Sequence, residues 1–235
     1  MFGVWEPNIS KYVKSILKEG DIAIDVGANI GWYTLLFASC VGDTGHVYSI
    51  EASPSIYTLL QRNILDNSKT NITSVNVAIS DQRGRATIFK HDAANIGATT
   101  INPDMIFFDR HSEEAQINTA PLFDIIPMND ILRARLIKID VEGMEWKIVQ
   151  SMSKILPQMS SHSEFILEVN QRATELLGGS ISKIIEIFAS AGFDVHYIPN
   201  DYRIGAYISR STKTPEKLSD RQYEVCDLLF KKLPR

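Results

Sequence analysis

Three short apolar runs constrain this chain most: DIAIDV at residues 21–26, HVYSIE at 46–51 and LIKIDV at 136–141. Each is rich in β-branched residues, too short for a buried helix, and carries an acid at or beside its last position. Such runs predict strands covered on both faces. Helical patterns lie around them. Residues 7–17 place Ile9, Tyr12, Val13, Ile16 and Leu17 on one face, with Pro7 at a tolerated first position and Gly20 as the stop. A second helix is predicted over 30–40, and a third from Pro54, with Ile56, Leu59, Leu60 and Ile64 inward. Strand and helix alternate through the first 65 residues and again after 136, the signature of a parallel sheet wrapped by helices. The chain's 235 residues suit a single α/β domain.

The other elements follow from the same rules. ITSVNVAI reads as a third strand and RATIFK as a short additional one after the DQRG turn. Residues 145–156 and 181–191 read as helices, and FILEV as a strand. FDVHYI and YRIGAYI, separated by PND, predict a closing antiparallel hairpin, and residues 216–233 a final helix. Residues 91–132, punctuated by Pro103, Pro121 and Pro127, are expected to form an irregular insertion covering a ligand site.

The net charge of -4 argues against a nucleic-acid binder and against an anionic membrane surface. No apolar run approaches the ~20 residues of a membrane span. MFGVWEPNISKYVKS lacks the basic head and apolar core of a secretory signal, so a cytoplasmic location is expected. Cys40 and Cys226 form no metal-binding spacing. Asn8-Ile9-Ser10 and Asn71-Ile72-Thr73 are chance glycosylation matches.

The three sharpest motifs fall at the carboxyl ends of predicted strands, the edge where open α/β sheets bind ligands. In DVGANIG, Gly27 and Gly31 bracket a strand-to-helix turn where backbone can approach a ligand. Asp25 is placed to accept from loop amides or a ligand cation. Glu51, at the next strand end, can accept both hydroxyls of a ribose. The loop is not G-x-G-x-x-G, which disfavours a nicotinamide dinucleotide, and not a P-loop. The pair therefore predicts a nucleoside that carries positive charge and lacks a pyrophosphate. S-adenosylmethionine (SAM) fits, with Asp25, Gly27, Asn29 and Gly31 at its methionine end, Glu51 on the ribose, and Ala78 and Ile79 beside the adenine.

GDIAIDVGANIGWYTLLFA, VYSIEASPSIYTLLQRNI, VNVAISDQRGRATIF and LIKIDVEGMEWKIV resemble, in order and spacing, the FkbM-like family of SAM-dependent O-methyltransferases. The similarity covers roughly residues 5–170 and weakens from about 101 to 131. Ala52 follows Glu51 where that family usually has proline. The resemblance implies a Rossmann-like class I methyltransferase fold, a seven-stranded sheet with a reversed final strand. It also implies methyl transfer to a hydroxyl of a carbohydrate or other small molecule. A nicotinamide-dependent oxidoreductase and a SAM-binding module without turnover are the rival readings.

KIDVEGMEW adds a second acidic cluster: Asp140 at a strand end, Glu142 two residues on and pointing the same way if extended, and Glu168 and Asn170 ending the next strand. Lys138 lies in the same strand and can pair with one of them. Asp140, Glu142 and Glu168 are the candidate catalytic residues, with Asp140 also a cofactor contact. An alcohol acceptor needs a base or a metal. Asp140 or Glu142 can hold SAM or serve as base. Asp140, Glu168 and Asn170 can bind a divalent cation, although none is expected. The cluster can also be structural, tied to helix amides. His91 and His111 are further candidate bases, whereas His46, His162 and His196 read as bland. The small residues of NIGATT (95–100) can approach a ligand, and Asn102-Pro103-Asp104 reads as a turn.

Overall fold

The computed structural model describes residues 5–91, 99–101, 111–199, 213–218 and 224–234. The elements run α1 (Pro7–Ile16), β1 (Ile22–Val26), α2 (Trp32–Val41), β2 (His46–Glu51), α3 (Pro54–Asp66), β3 (Ile72–Asn76), β4 (Ala78–Ile79), β5 (Gly84–His91), β6 (Thr99–Thr100) and β7 (His111–Ala120). Then follow α4 (Leu122–Ile125), α5 (Met128–Arg133), β8 (Leu136–Ile139), α6 (Glu145–Met152), β9 (Glu164–Asn170), α7 (Gln171–Leu176), α8 (Ile181–Ser190), β10 (Phe193–Ile198), β11 (Glu216–Lys217) and β12 (Val225–Lys232).

The main sheet has the order β11-β10-β12-β9-β8-β1-β2-β3. β3, β2, β1, β8 and β9 are mutually parallel, and β12 runs antiparallel to both β9 and β10. This is the expected Rossmann-like sheet with a reversed strand near its end. The parallel strands bring the ends of β1, β2, β8 and β9 to one edge. The order reverses between β1 and β8, where such sheets open a crevice.

Alternation along the strands makes three layers. Ala23, Val47, Leu136, Ile166 and Leu229 face α1 and α2, meeting Ile9, Val13, Phe37 and Val41. Ile24, Ile137, Phe165, Leu167 and Phe230 face the other way, toward α6 and α8. There Phe188 of α8 stacks on Phe230 at 3.9 Å between ring centroids and meets Phe165 and Phe193 edge-on at 5.0 and 5.2 Å.

Three expectations change. The third strand is two: β3 pairs with β2, while β4 leaves to pair with β7. Asn76 marks the break, its Nδ2 donating to the carbonyls of Glu51 and Ala52 at 2.8 and 2.9 Å. Second, much of 91–132 is ordered: β7 joins β4, β5 and β6 in a four-stranded sheet, and Pro121 and Pro127 sit at the N-caps of α4 and α5. Third, the predicted helix over 216–233 is replaced by strands β11 and β12. β12 lies between two other strands and is buried along most of its length, so it lacks the alternation that would reveal it. The expected C-terminal antiparallel pairing is present between β10 and β12, while YRIGAYI lies outside the described residues. Among the described residues no helix is long and apolar enough to cross a membrane.

Phe188→Ala should remove the centre of the aromatic cluster and cost about 3–5 kcal/mol. Urea denaturation measures this, and a loss below about 1 kcal/mol would show that the cluster collapses onto the gap.

Candidate active site

The loop after β1 is shaped by what lies behind it. Gly27 has φ +82, and a Cβ there would lie 1.7 Å from the carbonyl oxygen of Asp140. No other residue allows the two strand ends to approach so closely. The amides of Gly27 and Ala28 donate to the Ile50 carbonyl at 2.9 Å, tying the loop to β2. Asn29 is also left-handed, at φ 52. Gly31 has φ +93 and faces Leu60 of α3, so it shapes the turn and lies outside the cavity lining.

That turn points the Asn29 amide at Glu51 Oε2, 2.8 Å away, while the Ser53 amide donates to Oε1 at 2.8 Å. Glu51 is only 5% exposed. Burial pushes its carboxyl up to about 7 despite these donors. Each oxygen keeps a lone pair for a ligand. Asp25 is buried, and burial raises its carboxyl above the ordinary value although the Lys138 charge and the Thr34 hydroxyl oppose this. It accepts from Thr34 Oγ1 at 2.6 Å.

Across the crevice, Lys138 Nζ lies 2.5 Å from Asp140 Oδ2 and 4.8 Å from the Tyr33 ring centre. Burial alone would discharge this lysine, but Asp140, Glu6 and Asp25 outweigh it and hold the ammonium above its usual range. Tyr33 in turn donates to Glu6 Oε2 at 2.6 Å. Glu142 sits at φ 44 in a left-handed turn, so the chain here is not extended, yet Asp140 and Glu142 both line the cavity. The Glu142 carbonyl accepts from Thr100 Oγ1 at 2.8 Å, which fastens β6 over the crevice. Glu145 lies behind the turn. Its Oε1 accepts from the amides of Val141 and Gly143 at 3.3 and 3.1 Å, while Oε2 has no partner. Burial pushes its carboxyl up to about 7.

These groups enclose a cavity of about 760 Å³. Of the sequence candidates, Asp25, Gly27, Asn29, Glu51, Ala78, Ile79, Asp140, Glu142 and Glu168 all line it. Thr99 lines it too, while residues 95–98 and 102–104 lie outside the described residues. Asn170 is elsewhere: its Oδ1 accepts from the Ala173 amide at 3.1 Å and caps α7. Among the described residues no group of three acidic, histidine or cysteine side chains is arranged to hold a metal. His46 bonds Thr73 and His196 pairs with Asp194, while the side chains of His91 and His111 lie outside the described residues.

Several lining residues carried no sequence signal. Trp5, Glu6, Trp32 and Tyr33 form the wall beside Lys138, and Val77, Ile88 and Met144 add apolar surface. The packing of α1 against α2 and the Tyr33 hydroxyl on Glu6 place Glu6 near the strand ends. The fit to a SAM-like nucleoside can be tested on these atoms. Glu51 presents two acceptor oxygens, Val77, Ala78, Ile79 and Ile88 offer an apolar slot for a flat ring, and Asp25 and Asp140 favour positive charge. The Trp32 indole N–H is buried without a partner. The residues fit.

Comparisons with known proteins agree with this arrangement. The family model described as the methyltransferase FkbM domain matches residues 25–195. The 31-O-demethyl-FK506 methyltransferase FkbM of Streptomyces tacrolimicus is 26% identical over 204 residues, 76% of this chain and 75% of that protein. The crystal structure of methyltransferase FkbM from Methylobacillus flagellatus superposes with a TM-score of 0.54 at 16% identity, covering 94% of this chain and 50% of that one. A Clostridium thermocellum protein provisionally described as an rRNA-methylase gives 0.53 at 13% identity, covering 96% and 94%. At these identities the structural likenesses speak for the fold.

The two buried glutamates make a pH prediction. Glu145 keeps its proton to about 7 in the fold, against about 4.5 when free. Folding therefore favours the protonated form, and that contribution is present below about 4.5 and lost as pH rises through 7. Glu145→Gln retains an acceptor for Val141 and Gly143 and removes the titration. It should gain on wild type between pH 5 and pH 8 by on the order of 2 kcal/mol in urea denaturation. Parallel stability curves would refute the buried-acid account.

Proposed function

The chain belongs to the methyltransferase FkbM domain family, and on that footing we propose that its cavity binds SAM and serves methyl transfer to a hydroxyl of a carbohydrate or other small molecule. The observation that carries this reading is the Glu51 carboxylate, aimed into the cavity beside the left-handed Asn29 amide. When bound, SAM supplies a methyl group already activated on a sulfonium. The protein's task is then to bind, orient and exclude water.

In this reading Glu51 accepts the two ribose hydroxyls, and Ala78 and Ile79 flank the adenine with Val77 and Ile88. Gly27 and Asn29 hold the methionine end by backbone, and Asp25 and Asp140 favour its positive groups. Gly31 contributes through the turn rather than by touch. Trp5, Trp32 and Tyr33 wall the far side, where aromatic faces suit a sugar ring. Asp140, Glu142 and Glu168 border the acceptor. The acidic wall repels phosphates, so nucleic acid is not the acceptor in this proposal. No metal is assigned a role, because Asn170 is committed to its helix cap.

Isothermal titration with S-adenosylhomocysteine tests the cofactor reading. Binding is expected, and Glu51→Ala should weaken it at least about tenfold, the cost of losing charged hydrogen bonds. Ribose hydroxyls need the ionised carboxylate, and free Glu51 takes up a proton near pH 7. Affinity should therefore fall about tenfold per unit as pH drops below 7, and Glu51→Gln should be flat. No binding, or a pH-independent wild type, would overturn the proposal.

A further inference from the structure

The wall formed by β8 and β9 holds carboxylates that cofactor binding does not use. The two strands are parallel with Ile139 opposite Leu167, so Asp140 and Glu168 come next, side by side at the sheet edge. β12 runs antiparallel beyond them and sets Asp227 directly across from Glu168. Three carboxylates thus stand on three adjacent strands, with Lys138 as the cation among them. Lys138 is committed to Asp140 at 2.5 Å. Asp227 is buried and does not line the cavity. Glu168 does line it, and among the described residues no donor reaches its carboxyl group. A carboxyl group that faces a cavity without a protein partner is open to a ligand hydroxyl.

We propose that Glu168 is the base that takes the proton of the acceptor hydroxyl during methyl transfer. This rests on the reading of the cavity as a SAM-dependent O-methyltransferase site. The acceptor oxygen forms its bond to the methyl carbon, and the carbon–sulfur bond breaks with its electron pair left on sulfur. The hydroxyl proton passes to Glu168. A positive sulfonium and a negative carboxylate are neutralised together, so the net charge of the site with its ligands is unchanged. Asp140 is less suited, because the Lys138 ammonium already occupies its carboxylate.

The same row explains how Glu168 is held ready. Asp140 just after β8, Glu142 in the turn that follows and Asp227 on β12 all face Glu168 with negative charge, and Lys138 opposes them among the described residues. Glu6 and Asp25 compete for that lysine from the start of α1 and from β1. Neighbouring carboxylates do not readily ionise together. The Asp140 charge, with burial, holds the Glu168 carboxyl well above the usual carboxylate range, so the empty site keeps its proton. Positive charge entering the crevice favours the ionised form and expels that proton. A neutral thioether in the same place does not.

Calorimetry in two buffers of different ionisation enthalpy, at pH 7, counts the protons released on binding SAM and S-adenosylhomocysteine. Both ligands bring the same ribose to Glu51, so its contribution cancels. The wild type should release more protons with SAM, the difference lying between about one half and one per site. Glu168→Gln should abolish the difference while binding S-adenosylhomocysteine within about threefold of wild type. Equal counts in the wild type overturn the assignment of Glu168 and leave the cofactor reading standing. A difference that persists in Glu168→Gln overturns it too, since another group then carries the proton. Failure of both ligands to bind overturns the cofactor reading instead.

Discussion

The buried ammonium of Lys138 is the charge on which the crevice depends. It stands in the middle strands of a parallel sheet, 2.5 Å from Asp140 and paired in register with Asp25 on β1. A lone ammonium in such a place would lose its proton. Here Asp140, Glu6 and Asp25 keep it charged. The dependence runs both ways, because these acids sit in a poorly solvated wall and tolerate one another through the Lys138 cation between them. Removing one member of a buried pair strands the other, which is why such groups stand or fall together. The Tyr33 ring beneath the ammonium and its hydroxyl on Glu6 extend the same arrangement to α1 and α2. One positive charge therefore joins β1, β8 and the amino-terminal helix at the edge where the ligand site lies.

Backbone strain is gathered at the same edge. Asn29 and Glu142 are left-handed without being glycine, at φ 52 and 44, and Gly27 and Gly143 are left-handed beside them. Non-glycine residues in that region cost about 1 kcal/mol or more and persist where surrounding contacts hold them. Here the contacts are visible. Asn29 is held by its amide on Glu51, and Glu142 by Thr100 on its carbonyl. The first turn directs the Asn29 amide at the Glu51 carboxyl, and the second is where β6 is fastened. Glu114 of β7 adds a third tie, accepting from Ser53 Oγ at 2.7 Å and from the Ser55 amide at 3.0 Å at the start of α3. The second sheet is thus fastened both at the Glu142 turn and at the start of α3.

The parts legible in the sequence were those set by local pattern. DIAIDV, HVYSIE and LIKIDV declared themselves because strands buried on both faces need unbroken β-branched runs. The acids at their ends were legible because the topology sends every parallel strand to one edge. β12 was not, since VCDLLFKK has no alternation and its apolar run serves a helix as well as a central strand. The break between β3 and β4 was hidden for a different reason: it depends on Asn76 reaching the carbonyls of Glu51 and Ala52, a contact across 25 and 24 positions. Glu6 and Tyr33 lie in ordinary helical surroundings, and only their packing beside Lys138 gives them meaning. Glu142 illustrates the limit of spacing arguments. It lines the cavity, as a two-residue offset suggested, but from a left-handed turn rather than an extended strand.

A crevice that is to receive a cationic nucleoside must be acidic, yet it must also fold when nothing is bound. These demands conflict, because carboxylates that attract a ligand also repel one another. The fold meets both by burying its acids deeply enough to keep protons on several of them in the empty state. Burial pushes Glu51 up to about 7, although it accepts good hydrogen bonds. Glu168 is raised chiefly by its neighbour Asp140. Protonation relieves the repulsion without altering a contact. A ligand that donates hydroxyls or brings positive charge then finds acids able to ionise against it, and the free energy of ionisation becomes part of its recognition. Glu145 shows that the device is not confined to the cavity wall. It holds the turn from behind, with one oxygen on two amides and the other on nothing, an arrangement a neutral carboxyl tolerates and a carboxylate does not. The acidic turn is therefore built on a group that is itself easier to bury uncharged, and the negative charge is left to the residues that face the ligand.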